Sequence, residues 1–138
     1  MKGEILNLDT SVVMRLLVQE PADLYRTAAV FLEGKLTLQV PIHVCDLVLA
    51  EAYFALQAFY GMPKSAALEV LTGFATTDGL IFSPHARAVL ATKNLAHAKP
   101  GFVDRLIHGA GHLSGQTLVT FEKAARKLPG TVVIEVAR

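Results

Sequence analysis

The chain has 138 residues, 52% of them hydrophobic, and its thirteen Lys and Arg against twelve Asp and Glu leave a formal net charge of +1. This length fits one domain with a sizeable core over residues 1–138, and no apolar run approaches the roughly 20 residues that a membrane span needs. A nearly balanced charge does not by itself indicate a nucleic-acid binder, although a local basic strip would not show in the total.

Export and disulfide chemistry are not expected. The N-terminal residues carry no basic segment followed by an apolar segment and a cleavage site. The single cysteine, Cys45, excludes an internal disulfide. We therefore expect a cytoplasmic protein with no membrane partner, in which Cys45 is a small buried hydrophobic residue. The high apolar content suits buried parallel strands and a surface for self-association.

The first predicted element is a buried strand that ends at an acid. Ile5, Leu6 and Leu8 favour a strand, Asp9 follows at its carboxyl end, and Thr10 or Ser11 can cap the helix that comes next. Ligands bind at this edge of open parallel sheets. Asp9 is then either a catalytic or metal-binding carboxylate or a turn or cap residue, and taken alone the second explanation is favoured.

Helical and strand patterns alternate along the rest of the chain. Pro21 begins a helix that Gly34 stops, and Pro41 ends a strand at 36–40. Further helices are predicted near 44–60, 63–76, 84–99, 101–112 and 122–128, and further strands at 80–82, 117–121 and 132–134. This order predicts an α/β fold of the doubly wound kind, with a mainly parallel sheet and helices on both faces.

Glu51 is the only charged residue between Leu47 and Leu56 of a mostly apolar helix. An unpaired carboxylate buried there would cost several kcal/mol or become neutral. Two explanations stay open. Glu51 has a polar function, or it faces solvent or pairs with a basic side chain.

Acids recur at comparable places. Asp9 and Glu122 follow strands, Asp104 lies near the start of a helix, and Glu51 is a fourth candidate. If the four carboxylates converge, their repulsion requires a divalent cation, and an oxygen-only cluster suits Mg²⁺ or Mn²⁺ better than zinc.

Basic residues lie within a turn or two of these acids. A basic rim around a metal-loaded acidic centre suits a polyphosphate substrate, whereas an ordinary solvated helix face is the commoner explanation of such a run. The residues are Arg15, Lys99, Arg105, Lys123, Arg126 and Lys127.

Other site types find less support. Asp104, His108 and His112 would line one helix face and so could ligate a transition metal, but Gly109 and Gly111 weaken that helix and no third His or Cys is near. No phosphate loop of the Walker or dinucleotide-binding kind occurs, and no Ser or Cys forms a defensible triad with a His.

Four short motifs together resemble the PIN-domain family, especially its VapC-type toxins. They occur in the family's order and spacing over nearly the whole chain. They are Leu8-Asp9-Thr10-Ser11 with Val13, Arg15 and Leu16; Leu49-Ala50-Glu51-Ala52; Phe102-Val103-Asp104-Arg105-Leu106-Ile107; and Thr120-Phe121-Glu122 before Lys127-Leu128.

The resemblance implies a Mg²⁺- or Mn²⁺-dependent endoribonuclease with a PIN-like fold. Such proteins are commonly homodimers and are commonly neutralised by a small VapB-type antitoxin. The implied metal ligands are Asp9, Glu51 and Asp104, which hold one or two ions that activate a water for attack on the phosphate. The supporting residues are Ser11, which matches a small polar residue of the family, and Thr120. Of the basic rim, we expect Arg15, Arg105 and Lys123 to contact the RNA.

One departure concerns Glu122, because the family usually has Asp after the Thr-Phe pair. Its extra methylene puts a second metal position in question, so we expect Glu122 to tune activity through a water. The rival hypothesis is a catalytically silent PIN-like module that acts by binding. Receiver and haloacid-dehalogenase-like folds are disfavoured, since each needs an acid that this chain lacks.

Overall fold

The computed structural model describes residues 3–137 and divides into two compact units. The N-terminal unit is Met1–Ser83 and the C-terminal unit is Pro84–Arg138. None of the helices in the described part of the chain is long and apolar enough to cross a membrane.

The N-terminal unit contains a three-stranded sheet and four helices. Its strands are β1 (Leu6–Asn7), β2 (Ile42–His43) and β3 (Leu80–Ile81), and its helices are α1 (Thr10–Val18), α2 (Ala22–Thr37), α3 (Asp46–Ala58) and α4 (Lys64–Ala75). The strands pair in parallel in the order β1-β2-β3, with Leu6 opposite Ile42 and Ile42 opposite Leu80. Consequently all three carboxyl ends lie at one edge of the sheet.

Helix packing buries the apolar side chains of this unit. Helix α1 packs against α2 and α3, and α3 also packs against α4. Val13, Ile42, Leu49, Leu56 and Leu71 are fully enclosed. Burying five such side chains contributes roughly 1.5 to 3 kcal/mol each, so these helices hold the sheet edge in place.

The predicted strand at 36–40 is wrong. Helix α2 continues through Gly34 to Thr37, and the strand instead follows Pro41 as β2. Leu36 and Val40 are four residues apart, which fits one face of a helix as well as alternate positions of a strand. Gln39, two residues beyond the end of the helix, has a φ of 58° in the left-handed region, and the chain then enters β2.

Two local predictions about helix starts and burial are also wrong. Asp9 itself, and neither Thr10 nor Ser11, is the N-cap of α1. Cys45 is exposed rather than buried. It is the N-cap residue of α3, two residues after β2, and so lies before the helix residues that pack into the core.

The C-terminal unit contains two helices and a two-stranded sheet. Its elements are α5 (Pro84–Leu90), a 3₁₀ helix (Leu95–His97), α6 (Phe102–His112), β4 (Leu118–Thr120), a second 3₁₀ helix (Lys123–Lys127) and β5 (Thr131–Val133). Strands β4 and β5 are parallel, with Val119 opposite Val132. The helix expected over 84–99 therefore stops at Leu90, and the basic segment after Glu122 is 3₁₀.

Small residues let α6 approach α5. A Cβ on Gly109 would lie 2.9 Å from Cβ of His85, so a larger residue there would push the helices apart. Ala86 and Leu90 on α5 and Phe102 and Leu106 on α6 are buried at this contact.

Every strand pair among residues 3–137 is parallel, which confirms an α/β fold with parallel strands, although the strands form two sheets, one in each unit.

Candidate functional site

Asp9 is an exposed carboxylate fixed at the carboxyl edge of the three-stranded sheet. It lies two residues after β1. Its Oδ1 accepts a hydrogen bond from the Thr10 backbone N–H at 2.7 Å, and its Oδ2 accepts one from Ser11 Oγ at 3.0 Å. The cap and the ligand hypotheses are thus compatible, because each oxygen keeps lone-pair capacity toward solvent.

Arg15 is tied to its own unit. One terminal nitrogen donates to the Glu20 carbonyl, and the other donates to the Tyr60 hydroxyl at 2.9 Å. These contacts join the end of α1 to the segment after α3. The side chain therefore braces the fold, and its remaining N–H groups are the ones free to contact a substrate.

Glu51 lies on the exposed face of α3. The other side chains of that face are Leu47 and Phe54, which are 69% and 56% exposed, whereas Val48, Leu49 and Ala52 are buried. Glu51 thus faces solvent, and an unpaired carboxylate buried in the core is excluded, while a polar function stays open. Its carboxylate is accessible to solvent, and its neighbours on this face of the helix are apolar.

Asp46 was missed by sequence reasoning. It is the first residue of α3, three residues after β2, and its Oδ1 accepts a hydrogen bond from Ser83 Oγ at 2.7 Å, two residues after β3. This bond joins the carboxyl ends of two neighbouring strands beside that of β1. The signal was an acid after a strand, but the strand had been assigned to 36–40.

Asp104 and Arg105 lie in the first turn of α6, in the C-terminal unit. Asp104 is exposed, and a negative charge there is favoured by the helix dipole. Arg105 is half-buried and its Nε donates to the Pro100 carbonyl at 2.7 Å. The arginine thus anchors the start of the helix that presents the acid.

Glu122 repeats the arrangement of Asp9. It lies two residues after β4, is the N-cap of the second 3₁₀ helix, and accepts a hydrogen bond from the Ala124 N–H at 3.1 Å. Its own N–H donates to Thr120 Oγ1 at 3.0 Å. Lys123, the next residue, is exposed. Each unit therefore carries one exposed capping acid after a strand, but the Ser11 hydroxyl contacts the Asp9 carboxylate whereas the Thr120 hydroxyl contacts the Glu122 backbone.

The histidine alternative on α6 has a structural explanation. His108 and His112 stack with ring centroids 5.0 Å apart, and His108 Nε2 donates to the Pro129 carbonyl at 2.6 Å. These contacts pack α6 against the turn before β5. In neither unit do three or more described His, Cys, Asp or Glu side chains form a group able to hold a metal ion.

The donor chemistry nevertheless fits a hard divalent cation. Asp9, Glu51, Asp104 and Glu122 are all exposed carboxylates, and among residues 3–137 none of them is in a salt bridge. Carboxylate oxygens are the ligands that Mg²⁺ and Mn²⁺ prefer.

Charge is divided unevenly between the units. Residues 1–83 carry five Lys and Arg against nine Asp and Glu, whereas residues 84–138 carry eight against three. The net charge of the whole chain conceals this difference. A basic C-terminal unit is the electrostatic feature expected of a protein that contacts a polyanion.

By fold and site, the chain is a parallel α/β protein in which two of the exposed acids, Asp9 and Glu122, lie just beyond strand ends, where such folds bind ligands. The family model of the PIN domain matches residues 7–130, so the chain belongs to the PIN-domain family. PIN domains are generally metal-dependent nucleases, hydrolases that act on RNA and other nucleic acids. Comparisons with curated proteins and with solved structures find no match.

Proposed function

We propose that this protein is a Mg²⁺- or Mn²⁺-dependent endoribonuclease of the VapC type. The observation that carries the proposal is the equivalence of Asp9 and Glu122, each an exposed, backbone-anchored carboxylate two residues beyond a parallel strand. Both acids lie within the residues that match the PIN-domain model, a family of nucleases in general.

In this proposal Asp9, Glu51 and Asp104 are the metal ligands and Glu122 acts mainly through a water. The metal, when bound, lowers the pKa of a water and stabilises charge on the phosphate. Ser11 orients the Asp9 carboxylate, and Thr120 holds the backbone of Glu122. Because Asp9 and Glu122 are already hydrogen-bonded, little side-chain freedom remains to be lost when substrate binds.

Arg15, Arg105 and Lys123 are the proposed RNA contacts. Lys123 has an exposed ammonium beside Glu122, and a lysine at this place acts as a point charge on a phosphate. Arg15 and Arg105 are partly engaged with backbone carbonyls, so they contribute through their remaining N–H groups.

We further propose that residues 1–138 are one domain, because the family match spans both units. We also propose that the protein works in the cytoplasm, where cellular RNA is found.

A metal titration tests the activity. A single-stranded RNA oligomer labelled with a fluorophore and a quencher should be cleaved with Mg²⁺ or Mn²⁺ and left intact with EDTA or with Ca²⁺ alone. The same cations should raise the melting temperature of the free protein, because binding to the folded state alone stabilises it. Cleavage that persists in EDTA would contradict the proposal.

We propose a VapB-type antitoxin as the protein partner. A groove of about 600 Å³ lies between α1 and α2, and it begins at Thr10 and Ser11, next to Asp9. Its walls are mainly apolar and include Met14, Leu24 and Phe31. A short amphipathic segment seated there would reach the acid, so neutralisation of cleavage by a peptide from an adjacent gene is the expected result.

A homodimer is the proposed assembly. The exposed face of α3 carries Leu47 and Phe54, and Phe59 just beyond the helix is 83% exposed. Such exposed apolar side chains on one element are typical of an interaction surface. Glu51 lies on the same face of α3, so each copy would carry this acid at the edge of the proposed interface.

A catalytically silent binding module is the second candidate. It is favoured by one observation, that neither unit alone groups three metal-ligating side chains among its described residues. This alternative predicts no change in melting temperature at millimolar Mg²⁺ or Mn²⁺ and RNA binding without cleavage.

A further inference from the structure

Phe121 is an exposed aromatic side chain on a backbone that is fixed on both sides. Its side chain is 68% exposed. The Thr120 carbonyl accepts a hydrogen bond from the Ile134 N–H at 2.8 Å, and Thr120 Oγ1 accepts one from the Glu122 N–H at 3.0 Å. The ring is therefore held in solvent by a rigid support, as a preformed contact surface would be.

Val119 extends this surface. It is 59% exposed, whereas Leu118 and Thr120 are half-buried, so Val119 faces out from β4 and the exposed Phe121 follows two residues later. Leaving two apolar side chains in water beside a charged segment forgoes the stabilisation that burial would give. This cost is explained if another molecule covers them.

The surrounding charge indicates what that molecule is. Lys123 and Lys127 are exposed on the 3₁₀ helix that follows, and residues 84–138 carry eight Lys and Arg against three Asp and Glu. An aromatic ring among exposed lysines matches a single nucleic-acid strand, whose bases stack on rings while its phosphates pair with cations. A neutral apolar protein segment would gain nothing from the lysines.

We propose that Phe121 stacks on an unpaired base of the RNA substrate and that Lys123 contacts the adjacent phosphate. This inference rests on the proposed nuclease function, because it makes Phe121 a positioning residue beside Glu122. A base held on the ring sets the register of the strand against the acids. It also requires a base free of pairing, so the site selects single-stranded RNA over a duplex.

The absence of tryptophan from the sequence makes a direct test possible. In Phe121→Trp the only indole stands at the proposed stacking position, and a stacked base should quench its fluorescence. The matched control is Leu38→Trp, a similarly exposed position in the other unit. In EDTA, a single-stranded RNA oligomer should quench the first variant and leave the second unchanged, whereas an abasic oligomer of equal charge should quench neither.

Affinity measurements separate stacking from simple apolar contact. By fluorescence anisotropy of labelled RNA, Phe121→Leu should bind about five- to 150-fold more weakly than the parent, and Phe121→Tyr should retain affinity. Unchanged affinity in Phe121→Leu would overturn the proposal. So would RNA binding without quenching of Phe121→Trp, even if cleavage proceeds normally.

The two proposals fail in different ways. Quenching and base-dependent binding without cleavage in Mg²⁺ or Mn²⁺ would refute the nuclease and leave the stacking surface supported. Cleavage without quenching would refute the stacking surface alone. If neither cleavage nor RNA binding occurs, both are refuted, and concentration-dependent emission of Phe121→Trp without RNA would identify a second copy as the covering molecule.

Discussion

The hydroxyl of Ser11 donates a hydrogen bond to Oδ2 of Asp9 over 3.0 Å, and so ties the second residue of α1 to the acid that caps it. The Thr10 N–H holds the other carboxylate oxygen. The plane of the Asp9 carboxylate is thus set by two contacts from its own helix. An orienting group of this kind acts on activity through the acid that it positions.

Ser11→Ala should therefore lower RNA cleavage by about tenfold or more, since loss of a ligand's hydrogen-bond partner commonly costs that much in metal affinity or activity. Folding stability should fall by no more than about 1 kcal/mol, the usual net value of one exposed hydrogen bond. Ser11→Thr should keep most of the activity.

Ser65→Ala is the matched control for that variant, because Ser65 is the exposed second residue of α4. It should leave cleavage unchanged. Equal rates for Ser11→Ala and Ser65→Ala would show that Ser11 is only a helix-start residue.

The capping role of Asp9 can be separated from its proposed catalytic role. Asn is as good an N-cap as Asp, whereas Ala costs about 0.5 to 2 kcal/mol. In thermal or urea unfolding without metal, Asp9→Asn should match the parent and Asp9→Ala should be destabilised by that amount, while both lose cleavage. An Asp9→Ala variant as stable as the parent would mean that the cap contributes nothing.

Glu122 should tune activity without being an absolute requirement. Glu122→Gln keeps the reach and removes the charge, so it should need more Mg²⁺ to reach the same rate. Glu122→Asp shortens the side chain to that of the usual family residue and should match or exceed the parent. Glu135→Gln, in the same unit, is the control and loses only an exposed ion pair with Arg126.

If Glu122 is only the N-cap of the 3₁₀ helix, the result is different. Both substitutions would then leave the rate and its Mg²⁺ dependence unchanged. Initial rates over a metal titration distinguish the two cases, whereas stability alone would not, because the cap and the proposed catalytic role share the same carboxylate.

Self-association is expected to depend on α3. Phe54→Ser should convert a dimer at tens of micromolar, as an order of magnitude for specific association, into a monomer by light scattering. Ile107→Ser, at an equally exposed position on α6, should leave the dimer intact. A parent protein that is already monomeric at that concentration would refute the dimer.

Helices could be predicted from sequence where the apolar periodicity and the residues at the helix ends agreed. Helix α4 has a clear apolar stripe and Pro63 directly before it, so its bounds were nearly correct. The strands are only two or three residues long, too short for alternation to be distinctive, and the one placed at 36–40 had helical spacing as well. Which strands pair depends on contacts between residues distant in sequence, so the division into two sheets could not be predicted.

The candidate acids could be selected from sequence because an acid directly after a strand needs only local information. Asp9 and Glu122 were found in this way, and both are anchored at strand ends. Asp46 was missed because the strand before it was misplaced. Exposure of Cys45 and the bracing contacts of Arg15 depend on tertiary packing, for which a single sequence carries no pattern.

Cleavage of single-stranded RNA by Asp9→Asn and Asp104→Asn tests the central claim most directly. Initial rates are compared with the parent and with Asp23→Asn, whose carboxylate is also exposed and accepts a backbone N–H at a helix start. We predict that both variants lose more than about 100-fold in rate, as expected for direct metal ligands, with melting temperatures no lower than the parent's. Asp23→Asn should cleave normally. Cleavage at the parent's rate by either Asp9→Asn or Asp104→Asn would contradict the account.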